Sequence, residues 1–134
     1  MILAVCIDDS NGLMFNNRRL SSDKAVVMDL IKSAEPDVVL IAPYSAPLFK
    51  DSENRVRVLE DPLNNEKGFC FAECGDFASI VHNVKKLIVY KWNRRYPSDR
   101  KFPLDVFTSC MHLEYAEEFE GSSHPCITKE VYVR

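Results

Sequence analysis

Apolar runs dominate three segments of the chain, residues 2–7, 37–42 and 86–90. A strand that is covered on both faces of a sheet has this continuous apolar pattern. We therefore predict central strands at these positions, with a further strand at residues 69–72. Residues 55–59 alternate between polar and apolar side chains, which is typical of a half-exposed strand.

Helical signals lie between these runs. Ser21 and Ser22 precede an acid, Asp23, as capping residues do at a helix start, and Pro36 ends the segment. Apolar residues recur at helical spacing on the side that we expect to face the sheet: Val27, Leu30, Ile31 and Ala34. Shorter helical pieces are predicted after the strand at residues 37–42 and from Gly75 towards Asn83.

The C-terminal third predicts an antiparallel pair of strands. Phe107, Met111, Leu113 and Tyr115 indicate one face of a long strand, and residues 126–133 alternate again after a turn at Gly121. Strands that alternate with helices favour a parallel sheet. The predicted fold is a single α/β domain over residues 1–134, with three layers, a mixed and mainly parallel sheet, and a C-terminal antiparallel hairpin.

Composition narrows the functional classes. A net charge of −3 lacks the basic excess typical of a dedicated nucleic-acid binder. The odd number of cysteines, five, and the absence of a CxxC motif argue against a disulfide framework and favour reduced thiols in the cytoplasm. No segment approaches the roughly 20 apolar residues of a membrane span, and the first apolar run is too short for a signal peptide.

Ligands of such sheets bind beyond the carboxyl ends of the strands. This rule selects two loops that place Asn beside paired arginines, with segments at Tyr44, Glu73 and residues 122–124 nearby. We predict ligand-binding residues in both loops: Asn16, Asn17, Arg18 and Arg19 in the first, and Trp92, Asn93, Arg94, Arg95 and Tyr96 in the second. Arg matches phosphate or carboxylate, Asn can hold a base edge, and the two aromatic rings offer a stacking surface.

A structural interpretation of the same residues stays open. The arginines can pair with acids in a salt-bridge network, and Asp8, Asp9, Asp23 and Asp99 are available for it. Trp92 and Tyr96 can equally cover the core.

Few residues carry catalytic signals. The pattern itself predicts one catalytic residue, His124, because it lies in a loop beside two serines and is the histidine best placed for acid–base work. His82 and His112 are isolated. Asp8 and Asp9 have no partner carboxylates placed by a motif, so we predict no metal site, and no cofactor-binding motif such as a P-loop or G-x-G-x-x-G occurs.

Residues 1–23, 90–97 and 118–124 resemble a family of short uncharacterised bacterial proteins from Gram-positive gut anaerobes, some of which are labelled ribonuclease Z. The zinc motif H-x-H-x-D-H of true ribonuclease Z is missing here. The resemblance therefore does not imply metal-dependent phosphodiester hydrolysis.

The layout also resembles, more faintly, the dihydrofolate reductase-like fold. The shared features are an apolar first strand, a long loop with Gly12 and Asn16, Leu20 and Asp23 at the first helix, and a long C-terminal hairpin. In that family the acid at the position of Asp23 would hold the pterin. The chain is shorter, lacks the Pro-Trp of the loop, and has Lys91 and Trp92 where the family has a Gly-Gly for the cofactor phosphates. The resemblance thus implies a shared fold with the NADPH chemistry lost.

We expect the protein to bind an anionic ligand, either phosphorylated, nucleotide-like or an RNA end, through the two Arg/Asn loops. Two alternatives stay open. One is a reductase-like enzyme with Asp23 as its acid, and the other is an interaction module whose arginines meet an acidic partner.

Overall fold

The computed structural model describes residues 1–134. Its strands are β1 (Ile2–Ile7), β2 (Gly12–Phe15), β3 (Arg18–Arg19), β4 (Val39–Ile41), β5 (Val56–Val58), β6 (Phe69–Phe71), β7 (Lys86–Lys91), β8 (Arg100–Lys101), β9 (His112–Phe119) and β10 (Ile127–Val133). The α-helices are α1 (Lys24–Ala34) and α2 (Leu104–Thr108), and 3₁₀ helices span Pro43–Phe49, Glu53–Arg55, Pro62–Asn64 and Ala78–Asn83.

A seven-stranded sheet organises the molecule, in the order β5-β4-β6-β1-β7-β10-β9. The five strands from β5 to β7 are parallel, whereas β10 runs antiparallel to β7 and β9 antiparallel to β10. This topology confirms the predicted mixed, mainly parallel sheet with a C-terminal antiparallel hairpin.

The sheet separates two apolar clusters because successive side chains of a strand point to opposite faces. Leu3, Val5 and Ile7 of β1 belong to the cluster that includes α2, and Ala4 belongs to the cluster covered by α1. Both faces of the sheet are therefore buried, which explains the uninterrupted apolar runs in the sequence.

Helix α1 begins where the sequence predicts, but Asp23 is the capping residue in place of the expected Ser21 or Ser22. The Asp23 carboxylate accepts a hydrogen bond from the amide of Ala25 at 2.8 Å, as an N-cap side chain does. The buried face is formed by Val26, Leu30, Ile31 and Ala34. Val27, which we expected on that face, is half-buried at its edge, and Val26 takes the inner position.

The first long loop holds more structure than its polar sequence suggested. Strands β2 and β3 form a hairpin, and Asn16 and Asn17 at its turn have φ values of 51° and 61°. Asn adopts this left-handed conformation more readily than most residues, so two consecutive asparagines suit a tight hairpin turn. Strand β8 completes a small three-stranded sheet.

The expected long strand around Phe107 is wrong in its first half. Residues 104–108 form α2, and Phe107 and Met111 are buried before the strand begins. Leu113 and Tyr115 lie on β9 but are 48% and 42% exposed. They share a strand face at the open edge of the sheet, where neither helix covers them. Their apolar character therefore did not indicate burial. Neither helix has the length and apolar character needed to cross a membrane.

Candidate functional site

The loops that follow β1, β4, β6 and β7 meet at one edge of the sheet. The amide of Trp92 donates to Ile7 O at 3.0 Å, and that of Asp9 donates to Arg94 O at 2.9 Å. These bonds join the first loop to the loop after β7. The segment after β9 reaches the same edge through His124, so the carboxyl ends of the parallel strands bring together residues that are far apart in the sequence.

Asp23 lies at the centre of a buried hydrogen-bond network. One carboxylate oxygen accepts the amides of Ala25 and Ser122, each at 2.8 Å. The other accepts His124 Nδ1 at 2.8 Å together with the amide and the hydroxyl of Ser123 at 2.9 and 3.2 Å. Burial alone would raise the pKa of Asp23, but these hydrogen bonds hold it well below its usual range. Asp23 is therefore a fixed anion with both oxygens occupied.

His124 connects this anion to a hydroxyl. Because a carboxylate only accepts, Nδ1 of His124 carries a proton, which leaves Nε2 of the neutral ring as an acceptor. Ser21 Oγ lies 2.9 Å from that Nε2, and the Tyr96 hydroxyl lies farther away at 3.4 Å. The imidazole is 4% exposed and stacks on Trp92 with ring centres 4.7 Å apart. The ring is thus held in place by a hydrogen bond to the Asp23 carboxylate and by an aromatic face.

The resulting order is Ser21 Oγ, His124 and Asp23, with the imidazole between the hydroxyl and the carboxylate. This is the geometry of a serine–histidine–aspartate relay, which is recognised by roles and distances rather than by sequence order. Both residues that the sequence predicted as catalytic lie in it.

Gly121 makes room for the relay. A Cβ atom at this position would lie 2.5 Å from Asp23 Oδ2 and 2.9 Å from the His124 carbonyl oxygen. The amide of Gly121 also donates to that carbonyl at 3.0 Å. The tight turn that places His124 on Asp23 therefore requires a residue without a side chain.

A narrow cleft opens beside Ser21, with about 420 Å³ of space that includes its solvent-open mouth. Much of that space is too tight for a water molecule, so a ligand must be slim or must displace side chains. Apolar residues form most of the lining: Cys6, Leu13, Leu20, Val26, Val27, Leu30, Leu48, Phe71 and Trp92. Its polar lining consists of Arg19, Ser21, Ser22, Asp23 and Glu73.

Arg19 and Glu73 form a close ion pair in the cleft wall. Arg19 Nε donates to one carboxylate oxygen of Glu73 at 2.7 Å and Nη2 to the other at 3.0 Å. Ser45 Oγ also donates to Glu73 at 2.8 Å, and the guanidinium lies 4.5 Å from the ring centre of Tyr44. The hydrogen bond to Glu73 raises the pKa of Arg19. Arg19 thus has the acidic partner that the structural interpretation foresaw, although with Glu73 rather than an aspartate.

Asp8 anchors the two long loops. Its carboxylate accepts the amides of Gly12 at 2.6 Å, Ser10 at 2.9 Å and Tyr96 at 2.9 Å, in addition to the Ser10 hydroxyl. Burial acts to raise the pKa of Asp8, yet these hydrogen bonds lower it overall. The acid after β1 is therefore a structural acceptor that ties residue 96 to the first loop.

Several predicted ligand-binding residues have structural contacts instead. Asn16 and Asn17 form the hairpin turn, and Asn93, with φ of 58°, donates from its side chain to the Cys126 carbonyl and the Thr128 hydroxyl. Trp92 is 4% exposed and stacks on the imidazole, so the expectation of an open stacking surface on this ring is corrected. Tyr96 is half-buried near His124.

Three predicted arginines keep free side chains. Arg18, Arg94 and Arg95 are exposed, and their guanidinium groups have neither a hydrogen bond nor an acidic partner within the protein. No three His, Cys, Asp or Glu side chains cluster as a metal site.

In the sequence, Ser21 indicated only the start of a helix, and Glu73 indicated only the end of a strand. Their positions were the available signal. Ser21 precedes α1 and Glu73 follows β6, at the edge of the sheet where ligands bind. Their partners were not readable, because Ser21 lies 103 residues from His124 and Arg19 lies 54 residues from Glu73.

No family model and no curated protein sequence matches the chain. The resemblance to short bacterial proteins labelled ribonuclease Z therefore gains no support. Among solved structures, the chain is similar to dihydrofolate reductase from Enterococcus faecalis complexed with NADP(H) and RAB-propyl, with a TM-score of 0.66 and 10% sequence identity. The alignment covers 100% of this chain and 96% of that chain. The chain thus has a dihydrofolate reductase-like α/β fold, and at this identity the likeness concerns the fold alone.

Proposed function

We propose that the protein is a hydrolase that transfers acyl groups through Ser21, with His124 as general base and Asp23 as the acid that orients it. The observation that carries this proposal is the continuous pair of hydrogen bonds, 2.9 Å from Ser21 to His124 and 2.8 Å from His124 to Asp23. Ser21 also lines the cleft.

In the first half of the reaction, Ser21 Oγ attacks the carbonyl carbon of an ester while its proton moves to His124 Nε2. The bond from that carbon to the alcohol oxygen then breaks, and His124 returns the proton to the departing alcohol. In the second half, water attacks the acyl-serine and gives a proton to His124. The acid leaves and the proton returns to Ser21, so no other reactant is required.

Charge on the carbonyl oxygen needs donors near Ser21. The amides of Ser22 and Lys24 have no acceptor within the protein. Ser22 follows the proposed nucleophile directly, and Lys24 lies in the first turn of α1, where the helix dipole favours negative charge. These two amides are the proposed oxyanion donors.

The test is turnover of p-nitrophenyl butyrate and labelling by a fluorophosphonate, with the modified residue located by mass spectrometry. We expect Ser21 to carry the label, and Ser21→Ala to lose both signals by about a hundredfold or more. The matched control is Ser109→Ala, at an exposed serine that directly follows α2, which should leave both unchanged. Turnover that survives Ser21→Ala, or wild-type protein that neither turns over nor labels, refutes the proposal.

A second candidate function is binding of a phosphorylated or nucleotide-like anion, or an RNA end, at the three free arginines. The supporting observation is that Arg18, Arg94 and Arg95 are exposed and unpaired on loops joined by the Asp9–Arg94 backbone bond. Guanidinium groups without acids are available to phosphate.

Calorimetric titration with ATP, a short RNA and an acidic peptide tests this candidate. If it is right, Arg94→Ala with Arg95→Ala weakens binding of a phosphate-bearing probe about tenfold or more, whereas Arg57→Ala on β5 does not. Binding of the acidic peptide alone would instead favour the interaction module, and unchanged binding in the double variant would exclude this arginine site.

The residues present do not fit the reductase alternative. A pterin would need free acceptor sites on Asp23, but its carboxylate already receives five hydrogen bonds. The groove beyond β4 and β6 is lined by the acids Glu60, Asp61 and Asp76, besides Glu73, which Arg19 neutralises, and by no lysine or arginine. Such a lining repels the phosphates of a dinucleotide. We therefore derive no hydride-transfer step for this chain.

A further inference from the structure

The cleft beside Ser21 presents no unpaired charge to a ligand. The charged side chains in its lining are Arg19, Asp23 and Glu73. Asp23 is saturated by its five donors, and the remaining two neutralise one another through two short hydrogen bonds. The rest of the polar lining consists of the hydroxyls of Ser21 and Ser22.

The Arg19–Glu73 pair is held in this arrangement from several sides. Glu73 is 9% exposed in its side chain and also receives the Ser45 hydroxyl. Arg19 donates to the Tyr44 carbonyl and stacks on the Tyr44 ring, and its backbone amide donates to the Tyr44 hydroxyl at 3.0 Å. A pair fixed by so many contacts cannot easily rotate to meet a ligand charge.

We infer that the Arg19–Glu73 pair is a specificity-determining device that keeps the cleft neutral and restricts it to uncharged, slim aliphatic acyl groups. This inference rests on the proposed function for the choice of acyl substrates, and its physical content concerns binding alone. A carboxylate on the ligand would have to displace Glu73 from Arg19, and an ammonium would have to displace Arg19 from Glu73. Either exchange leaves a poorly solvated charge without a partner.

The lining supports the same substrate class. Nine apolar side chains surround the cleft, and its enclosed space is so tight that only a slim chain that displaces side chains can enter it. Burial of methylene groups against such a lining is favourable, which a short acyl chain can gain and a charged head cannot.

Binding can be measured without catalysis in Ser21→Ala protein, by NMR titration with hexanamide, hexanoate and hexylammonium. These probes share a chain and differ in charge. We expect hexanamide to bind about tenfold or more tightly than either ion. Glu73→Gln keeps the shape and the acceptor for Ser45 but frees the Arg19 charge, so the preference should move towards hexanoate by about tenfold.

Two further variants complete the test. Arg19→Gln leaves Glu73 unpaired and should move the preference towards hexylammonium. Glu130→Gln removes the acid of the Lys91–Glu130 pair, which lies outside the cleft, and should change nothing.

The inference is overturned if Ser21→Ala protein binds hexanoate as tightly as hexanamide, if it binds none of the three probes, or if Glu73→Gln acts no differently from Glu130→Gln. These outcomes are separable from failure of the hydrolase proposal, which is decided by turnover and labelling of Ser21. A thermal unfolding curve of each variant shows whether it is folded.

Discussion

Replacement of Asp23 by Asn tests the central network of the molecule directly. The substitution keeps the size of the side chain but exchanges one acceptor oxygen for an NH₂ donor. In one orientation that NH₂ group faces the donors of Ser123 and His124, and in the other it faces the amides of Ala25 and Ser122. Either orientation leaves at least two buried donors without an acceptor.

The expected cost follows from these contacts. Hydrogen bonds to a charged group contribute about 1.5–3 kcal/mol each, and at least two of them are lost in either orientation. Since the lost contacts overlap, we expect the free energy of unfolding at pH 7 to fall by about 3–5 kcal/mol. For a chain of 134 residues this lowers Tm by roughly 10–20 °C.

Acid pH provides a second measurement of the same network. The pKa of Asp23 is lower in the folded protein than in the unfolded chain, so its ionised form stabilises the fold above the unfolded pKa of about 4. That contribution is lost as the pH falls from about 4 towards the folded pKa. The difference in stability between wild type and Asp23→Asn should therefore be largest near pH 7 and shrink as the pH is lowered towards 2.

Urea unfolding of wild type, Asp23→Asn and Asp9→Asn over this pH range is the assay. Asp9 is exposed and its carboxylate has no hydrogen-bond partner, so its substitution should cost less than about 0.5 kcal/mol. If Asp23→Asn is as mild as Asp9→Asn at pH 7, or if its effect does not depend on pH, the buried network does not have the role assigned to it.

One further substitution and one thiol-reactivity assay test other contacts of the fold. Gly121→Ala places a methyl group against Asp23 Oδ2 and should lower the free energy of unfolding by about 2 kcal/mol or more, whereas Ser122→Ala, at an exposed neighbour, should cost under about 0.5 kcal/mol in the same urea titration. Equal effects of the two would contradict the close contact. In a thiol-reagent assay of native protein, exposed Cys74 should react within minutes. Cys70 is 1% exposed and burial raises its pKa to about 12, so it should react only on unfolding. Rapid reaction of both thiols would disprove the burial of β6.

The secondary structure could largely be predicted because its signals are local. The apolar runs at β1, β4 and β7 reflect burial on both faces, and Asp23 marks the start of α1 through its own backbone geometry. The exceptions are instructive. Leu113 and Tyr115 are apolar but exposed on an edge strand. The local sequence does not indicate whether another element will cover them.

The candidate site depended on contacts that local patterns do not encode. Position at the strand ends was enough to select the loops and His124, whereas Asp23 was singled out by the resemblance to the dihydrofolate reductase-like fold. It did not reveal that Ser21 would reach the imidazole, or that Arg19 would be neutralised by Glu73 instead of facing a ligand.

The sequence by itself thus determined the strands, the first helix and the edge of the sheet where polar groups gather, because hydrophobic periodicity and capping act over a few residues. Only the tertiary structure decided which of those groups touch. His124 meets Asp23 across 101 residues of chain through the pairing of β10 with β7 and the turn at Gly121. A hydrogen bond requires placement to within a few tenths of an ångström, and that placement comes from packing of the whole sheet.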